Sequence, residues 1–393
     1  MSGALDGIKI LDLTNYIAGP FATMLLGDLG AEIYKIETPG EGDPFRSWEK
    51  EPKDYSPSFC GLNRNKKSVT LNLKSREGKE IFLRLARDAD VIAENLRPGV
   101  VDRLGIGYKD IKKINPKIIY CSISAFGQNG PYRDRPGYDT IGQALSGLLS
   151  VLTDLDHPQG PGAPFSDHLG GIYGCYGILA AIAARDRTGK GQKVETSLLE
   201  ATISFLGLNI TQYLASGIVP KMTTRVRSAQ VYAFVAGDGL PFVIHLSHPP
   251  KFWLGVTEVI GRPDLRDDLR TKDRHGRIKN YDMISDILAA TFKSAPRDHW
   301  LKLLGEKDVP CAPIRNLAEV FEDPQVNYLD RLEKISDPEL GTFQLVKNGI
   351  TLDQTPTRIT LRPPKLGEHN EETLRSLGYS SEEIKTFREK QII

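Results

Sequence analysis

The chain has 393 residues, 40% of them hydrophobic and 26% charged, a globular balance with length for two domains that each bury a core. Lys plus Arg number 51 against 50 Asp plus Glu, a net charge of +1, which excludes the basic excess of a nucleic-acid binder and leaves any anionic ligand to local charges. The four cysteines (Cys60, Cys121, Cys175 and Cys311) are scattered with no CxxC, and they read as reduced residues of a protein in a reducing compartment.

Residues 8–13 read as a short strand, Ala18-Gly19-Pro20 breaks the chain, and 21–29 reads as a helix opened by Pro20. Residues 32–37 form a second strand, so the chain opens strand–helix–strand. Further strands are predicted at 66–73, 90–94 and 117–124, with a helix over 75–89. This alternation predicts an α/β fold, with a Rossmann-like large domain built on a parallel sheet with right-handed crossovers. The small and apolar residues of 166–182 predict a buried helix with close neighbours. A turn at 188–193, a strand at 194–196 and a helix from Leu198 to near Ala215 follow. Beyond these, short strands surround a Gly237-Asp238-Gly239 turn within 226–244, helices occupy 252–260, 281–292 and 296–304, and 309–314 is a stiff extended link. The expected organisation is a large domain from 1–200 and 330–393, a linker helix region at 201–225, a small α+β domain at 226–318 and a return linker at 319–329.

No apolar run reaches the roughly 18 residues of a membrane helix, and residues 1–12 lack a signal-peptide pattern. A soluble, cytoplasmic protein without a membrane partner is expected. The seven histidines show no HExxH or zinc-ligand spacing, and His245 and His248 run into Pro249 and Pro250, so no metal is expected. The first strand–helix turn lacks GxGxxG, and no GxxxxGK[ST] occurs, which argues against NAD, FAD and a P-loop nucleotide.

Asp167 heads the apolar 166–182 run. On local pattern it reads first as a helix N-cap, with a carboxylate nucleophile as the sharper reading. The two are compatible, because amides at a helix start favour the ionised carboxylate.

Several pieces, weak alone, form an ordered signature. They are Leu5-Asp6-Gly7-Ile8-Lys9-Ile10 leading to Ala18-Gly19-Pro20, Gly27-Asp28-Leu29-Gly30-Ala31-Glu32, and Asn63-Arg64-Asn65-Lys66-Lys67-Ser68. Glu94-Asn95-Leu96-Arg97-Pro98-Gly99, Gly127-Gln128-Asn129-Gly130-Pro131-Tyr132, Lys190-Gly191-Gln192 and Leu366-Gly367-Glu368-His369 complete it. In these the chain resembles the class III CoA-transferases, the family of formyl-CoA transferase and carnitine CoA-transferase, with the α-methylacyl-CoA racemases as relatives. The resemblance implies a large Rossmann-like CoA-binding domain, a small domain, and an interlocked homodimer. It implies acyl-CoA and carboxylic acid substrates, with the coenzyme A thioester consumed as substrate and no permanently bound cofactor.

The family's nucleophile falls on Asp167, which implies a mixed anhydride followed by an aspartyl-CoA thioester. Tyr138 stands where the racemases carry histidine, and a tyrosine is a poor proton shuttle at pH 7, so the resemblance favours transfer over racemisation. A racemase, or a non-catalytic CoA-binding subunit of a hetero-oligomer, are the competing readings. For CoA binding the resemblance implies Tyr16, Ile17 and Ala18, with Leu71, Lys74, Asn95, Leu96 and Arg103 lining a groove. Lys74 and Arg103 read either as phosphate contacts or as solvated surface charges. The chain departs from the family at Thr38 and Pro136, where a base is common, with Arg133 or Arg135 as substitutes. It departs again at 245–253, where Pro249-Pro250 stiffens the segment matching a glycine-rich lid. The implied substrates are succinyl-CoA as donor and a dicarboxylic or hydroxy acid as acceptor, with Arg46 or Arg225 as candidate anchors for a second carboxylate.

Overall fold

Six short strands with alternating side chains build one parallel sheet: β1 (Lys9–Asp12), β2 (Glu32–Glu37), β3 (Lys66–Thr70), β4 (Val91–Glu94), β5 (Ile119–Ser124) and β6 (Lys193–Ser197). They run β3-β2-β1-β4-β5-β6, and every neighbouring pair is parallel. The strand order reverses between β1 and β4, which opens a crevice at the carboxyl ends of these two strands. The computed structural model describes residues 2–49, 56–337, 339 and 341–393.

Alternate residues of the strands enter two cores, as a period of two requires. Leu11, Ile36, Val69, Ile92 and Tyr120 pack with α2 (Arg76–Arg87), while Ile10, Ile33, Val91, Ile119 and Ile123 pack with residues of α1 (Ala18–Asp28). The helices α3 (Val100–Leu104), α4 (Asp139–Ser146), α5 (Phe165–Thr188) and α6 (Leu198–Phe205) follow along the chain. Helix α1 starts three residues before the predicted 21–29, with Pro20 in its first turn, where the missing N–H has no helical partner to lose. The helix predicted to run on from Leu198 breaks instead at Leu206, and a second helix starts at Gly207.

Glycines let α5 lie against its neighbours. A Cβ added to Gly171 would stand 2.6 Å from the carbonyl oxygen of Ala18 on α1, one on Gly174 would stand 2.7 Å from Ile123 Cδ1, and one on Gly177 would stand 2.6 Å from Val194 Cγ1. The helix that carries Asp167 therefore seats on α1, β5 and β6 at a distance no other residue type permits.

The chain divides into two compact units. One comprises 1–149, 160–208 and 331–393, and the other 150–159 and 209–330. The second unit holds its own antiparallel sheet, β7 (Val231–Val235), β8 (Pro241–His245) and β9 (Cys311–Pro313), so the predicted extended link contains a paired strand. Its core joins these to α7 (Pro250–Val259), α8 (Tyr281–Phe292) and α9 (Arg297–Glu306). Pro249 and Pro250 act locally as the start of α7, with Pro250 at its first position.

The first unit is completed by a hairpin absent from the sequence reading, β10 (Leu332–Asp337) and β11 (Gly341–Val346), and by the helices α10 (Asn370–Ser376) and α11 (Ser381–Glu389). The returning chain covers the edge strand β3. Ser68 N–H reaches His369 Nδ1 at 3.2 Å, Thr70 N–H reaches Asn370 Oδ1 at 2.8 Å, and His369 N–H reaches Ser68 O at 3.0 Å. The edge is thus closed by side chains and loop backbone rather than by a seventh strand.

The glycine contacts make a checkable contrast. Gly171→Ala is expected to cost about 1–3 kcal/mol in urea unfolding, because backbone stands in the way. Gly305→Ala, on α9 with nothing within 4 Å of the new Cβ, is expected to be neutral or to stabilise by up to about 1 kcal/mol.

Candidate active site

Under the crevice lie charges that a reading of isolated strands takes for surface residues. Lys35 and Lys66 are both fully buried. Lys66 Nζ contacts Asp12 Oδ2 at 3.0 Å, and Lys35 Nζ contacts Asp43 Oδ2 at 2.9 Å. Burial pushes the Asp12 carboxyl up, but Lys66 and Lys35 together with hydroxyls from Thr14 and Thr23 more than offset it, and the group is held below its ordinary range.

This network fixes the loop after β1. Thr14 donates its N–H to Asp12 Oδ1 at 2.9 Å, and its carbonyl accepts from Lys35 at 2.8 Å. Tyr16 donates its N–H to Asp43 Oδ1 at 3.2 Å. Tyr16 sits at φ 64°, a left-handed conformation that a bulky residue adopts only when its surroundings impose it. Its ring packs edge-on against Phe45 and Tyr138, with centroids 5.6 and 6.0 Å away. Across the crevice, Asn95 Oδ1 accepts from Asn15 N–H and Asn95 Nδ2 donates to Asn15 O, both at 2.8 Å.

A cavity of about 250 Å³ opens here. Its walls come from the loops after β1 (Asn15, Tyr16, Ile17, Ala18), after β4 (Asn95, Leu96, Arg97, Pro98) and after β5, and from Tyr138 and Asp167. Asp167 is the one acidic residue that lines it among the described residues. Asp167 is the third residue of α5 rather than its cap, and Pro164 stands at the cap position. The carboxylate of Asp139 does the capping: its Oδ1 accepts the Asp167 N–H at 3.1 Å, while its Oδ2 accepts from Gln143 at 2.6 Å. Helix-start amides were expected to favour the ionised form of Asp167. Instead burial, with the neighbouring Asp139 charge second, pushes its carboxyl up to about 7.

Cations gather at the same cavity. Arg97, Arg133 and Arg135 line it. Arg133 is oriented by a hydrogen bond from Nε to Gln128 O at 2.9 Å, and Arg135 lies over the rings of Phe126 and Tyr132. A Cβ on Gly99 would stand 3.2 Å from a guanidinium nitrogen of both Arg103 and Arg133, so a glycine there leaves room for the two to approach.

The structure thus brings Asp167, Tyr138, Tyr16, Ile17, Ala18, Asn95 and Leu96 to one cavity and sets Arg103 beside Arg133. Leu71 lies in the core and Lys74 is exposed, and neither lines the cavity. Arg46 is engaged by Glu37, at 2.8 Å through both Nε and Nη2, and is absent from the lining; Arg225 is an exposed residue of the second unit. Sequence reasoning missed Arg97 and Phe126. The signal for Arg97 was its place directly after Asn95 and Leu96.

Residues 5–370 match the family described as CoA-transferase family III. The acetyl-CoA:oxalate CoA-transferase of Acetobacter aceti is 40% identical over 333 residues, 82% of this chain and 84% of that protein. The succinyl-CoA:glutarate CoA-transferase of Mus musculus is 36% identical over 377 residues, 95% of this chain and 86% of that protein. Among solved structures, a CAIB/BAIF family protein from Brucella suis superposes with a TM-score of 0.84 at 33% identity, covering 96% of this chain and 100% of that one. The chain belongs to CoA-transferase family III and is a transferase enzyme, whose relatives move CoA between acyl groups and carboxylates.

The buried pair beneath the site carries an expectation of its own. Lys66→Met leaves Asp12 without its contacting cation, and a loss of about 3–5 kcal/mol is expected in urea unfolding.

Proposed function

We propose that the protein is an acyl-CoA:carboxylate CoA-transferase in which Asp167 is the nucleophile. The observation that carries this reading is that Asp167 is, among the described residues, the one carboxyl-bearing residue lining a cavity otherwise walled by apolar, hydroxyl-bearing, amide and arginine side chains. Its oxygen attacks the donor thioester carbonyl and expels CoA thiolate, giving a mixed anhydride. The thiolate then attacks the Asp167 carbonyl, which releases the donor acid and leaves an aspartyl-CoA thioester. The acceptor carboxylate attacks that thioester to form a second anhydride, and the thiolate returns to the acceptor's acyl carbon, freeing Asp167. Each step exchanges one thioester or anhydride for another, so no ATP is consumed, and the hard substitution is split into easier ones.

Tyr16, Ile17, Ala18, Asn95 and Leu96 form the wall along the CoA chain, and Tyr138 faces the reacting acyl group. Arg133 and Arg135, with Arg97 and Arg103, hold the phosphates, and their guanidinium forks suit that task. Succinyl-CoA as donor and a dicarboxylic or hydroxy acid as acceptor are the substrates we favour, supported by relatives named for succinyl-CoA, oxalate and glutarate. The protein acts as a homodimer. An apolar outer face supports this, with Ile141 and Leu145 of α4, Phe165, Ile172 and Tyr176 of α5 and Phe205 of α6 all exposed.

The chemistry is tested by intact-protein mass spectrometry after incubation with acetyl-CoA, succinyl-CoA and related thioesters. A CoA-sized adduct removed by hydroxylamine, mapped to Asp167 and absent from Asp167→Ala, is expected. No adduct with any donor would overturn the mechanism.

The rate of adduct formation supplies a second test. The nucleophile must be ionised, and its carboxyl titrates near 7, so the rate is expected to fall up to about tenfold per unit as pH drops below that value. Asp139→Asn keeps an acceptor for the Asp167 N–H but removes the like charge. Its midpoint is therefore expected at lower pH than the wild type, read from the same pH series.

A further inference from the structure

Glu94 ends β4 and is 2% exposed. Each of the other fully buried acids among the described residues has a cation against it: Lys66 for Asp12, Arg64 for Asp28, Arg46 for Glu37, Lys35 for Asp43 and Arg362 for Asp337. Glu94 makes no ion pair among the described residues. Its Oε2 accepts the Leu96 N–H at 2.9 Å, and the Ser122 hydroxyl of β5 stands near enough to favour its ionised form. The charged and titratable groups facing it are Lys193 of β6, Asp102 of α3, and Tyr120 and Cys121 of β5. Burial pushes its carboxyl up to about 7, against the opposing pull of the Ser122 hydroxyl, the Leu96 hydrogen bond and Lys193.

An unpaired buried acid destabilises a fold that an uncharged residue would serve as well. What Glu94 touches gives it a purpose. Asn95 and Leu96, the next two residues, line the cavity. Asn95 is joined by two hydrogen bonds to Asn15, beside the strained Tyr16. The Glu94 carboxylate is therefore the inner end of a chain of contacts that runs across the strand reversal to both loops of the cavity wall.

We infer that Glu94 is a positioning residue for CoA binding, whose carboxylate sets the backbone at Asn95–Leu96 and, through the Asn95–Asn15 amide pair, the loop that carries Tyr16. This rests on the reading of the cavity as the CoA site. An ionised glutamate is the stronger acceptor for the Leu96 N–H. A protonated one is a weaker acceptor, and the hold on Leu96 weakens.

The test is calorimetric titration of free CoA between pH 6 and pH 8.5 into the full-length Asp167→Asn protein, which lacks the other carboxyl that titrates near neutrality. With Glu94 present, affinity is expected to fall as pH drops through about 7, by up to about tenfold per unit below it. Adding Glu94→Gln, which keeps the shape and the acceptor, should abolish that part of the fall and hold the high-pH affinity. In steady-state assays of the otherwise unmodified enzyme, Glu94→Leu should raise KM for the acyl donor by about tenfold or more with kcat within about threefold; if that variant does not fold, the Gln comparison decides alone. The same pH dependence with Glu and Gln, or a Leu variant that lowers kcat and spares KM, overturns the inference. Failure of the wild-type protein to bind CoA at any pH would instead overturn the CoA-site reading, and this inference with it.

Discussion

Two lysines, Lys35 and Lys66, are shut away from water beneath the carboxyl ends of the central strands, and the cavity wall is built on the acids that neutralise them. A buried ammonium without a counter-charge is prohibitive in a low-dielectric interior. The backbone must therefore deliver Asp12 from β1 and Asp43 from the segment after β2 to fixed points. Once they are there, their remaining lone pairs capture the N–H groups of Thr14, Tyr16 and Phe45. The loop after β1 thus has little freedom left, which is how a tyrosine is kept at a positive φ. Such a network adds less to net stability than an apolar core of equal volume. What it supplies is a unique arrangement of the loop.

The same unit treats its carboxyl groups in two ways. Asp12, Asp28, Glu37 and Asp43 are matched with cations and fasten structure. Asp167 has a second carboxylate beside it instead, and Asp139 grips its backbone while opposing its ionisation. A carboxylate at the upper end of its range is a stronger base and a better nucleophile for a carbonyl, provided that enough of it is ionised at the working pH. The glycines of α5 complete this placement, since a Cβ at 171, 174 or 177 would meet Ala18, Ile123 or Val194 and move the helix start.

Much of this was legible in the residues. β-Branched runs between polar turns marked the strands of the large sheet, and their alternation with helices marked its parallel character. Residues such as Asn95 and Leu96 reach the cavity because they follow directly from a strand end at the reversal. Leu71 and Lys74 lie beyond the end of β3, two strands from that reversal, and the lining does not include them. The buried lysines were not legible, because a lysine within a short strand looks the same whether its neighbours offer it an acid or water; only the pairing of β1, β2 and β3 brings Asp12 to Lys66. The hint lay in the texture of β2, where Lys35 has apolar neighbours on both sides in a strand buried along nearly its whole length. The cap of α5 was misread for a related reason. Asp139 is 28 residues away from Asp167, and local capping rules see only adjacent residues.

The closure of β3 has a consequence for how the molecule comes into being. The hydrogen bond between Thr70 and Asn370 spans 300 residues, so the strand is made early and its cover late. Some 300 further residues must leave the ribosome before that edge is shielded, and loop-closure entropy over such a span delays the contact further. Throughout that interval a nascent sheet presents unpaired backbone to any other chain nearby. Chaperone dependence and the yield of active enzyme at high expression are thereby tied to the segment around His369 and Asn370, 300 residues from the strand it covers.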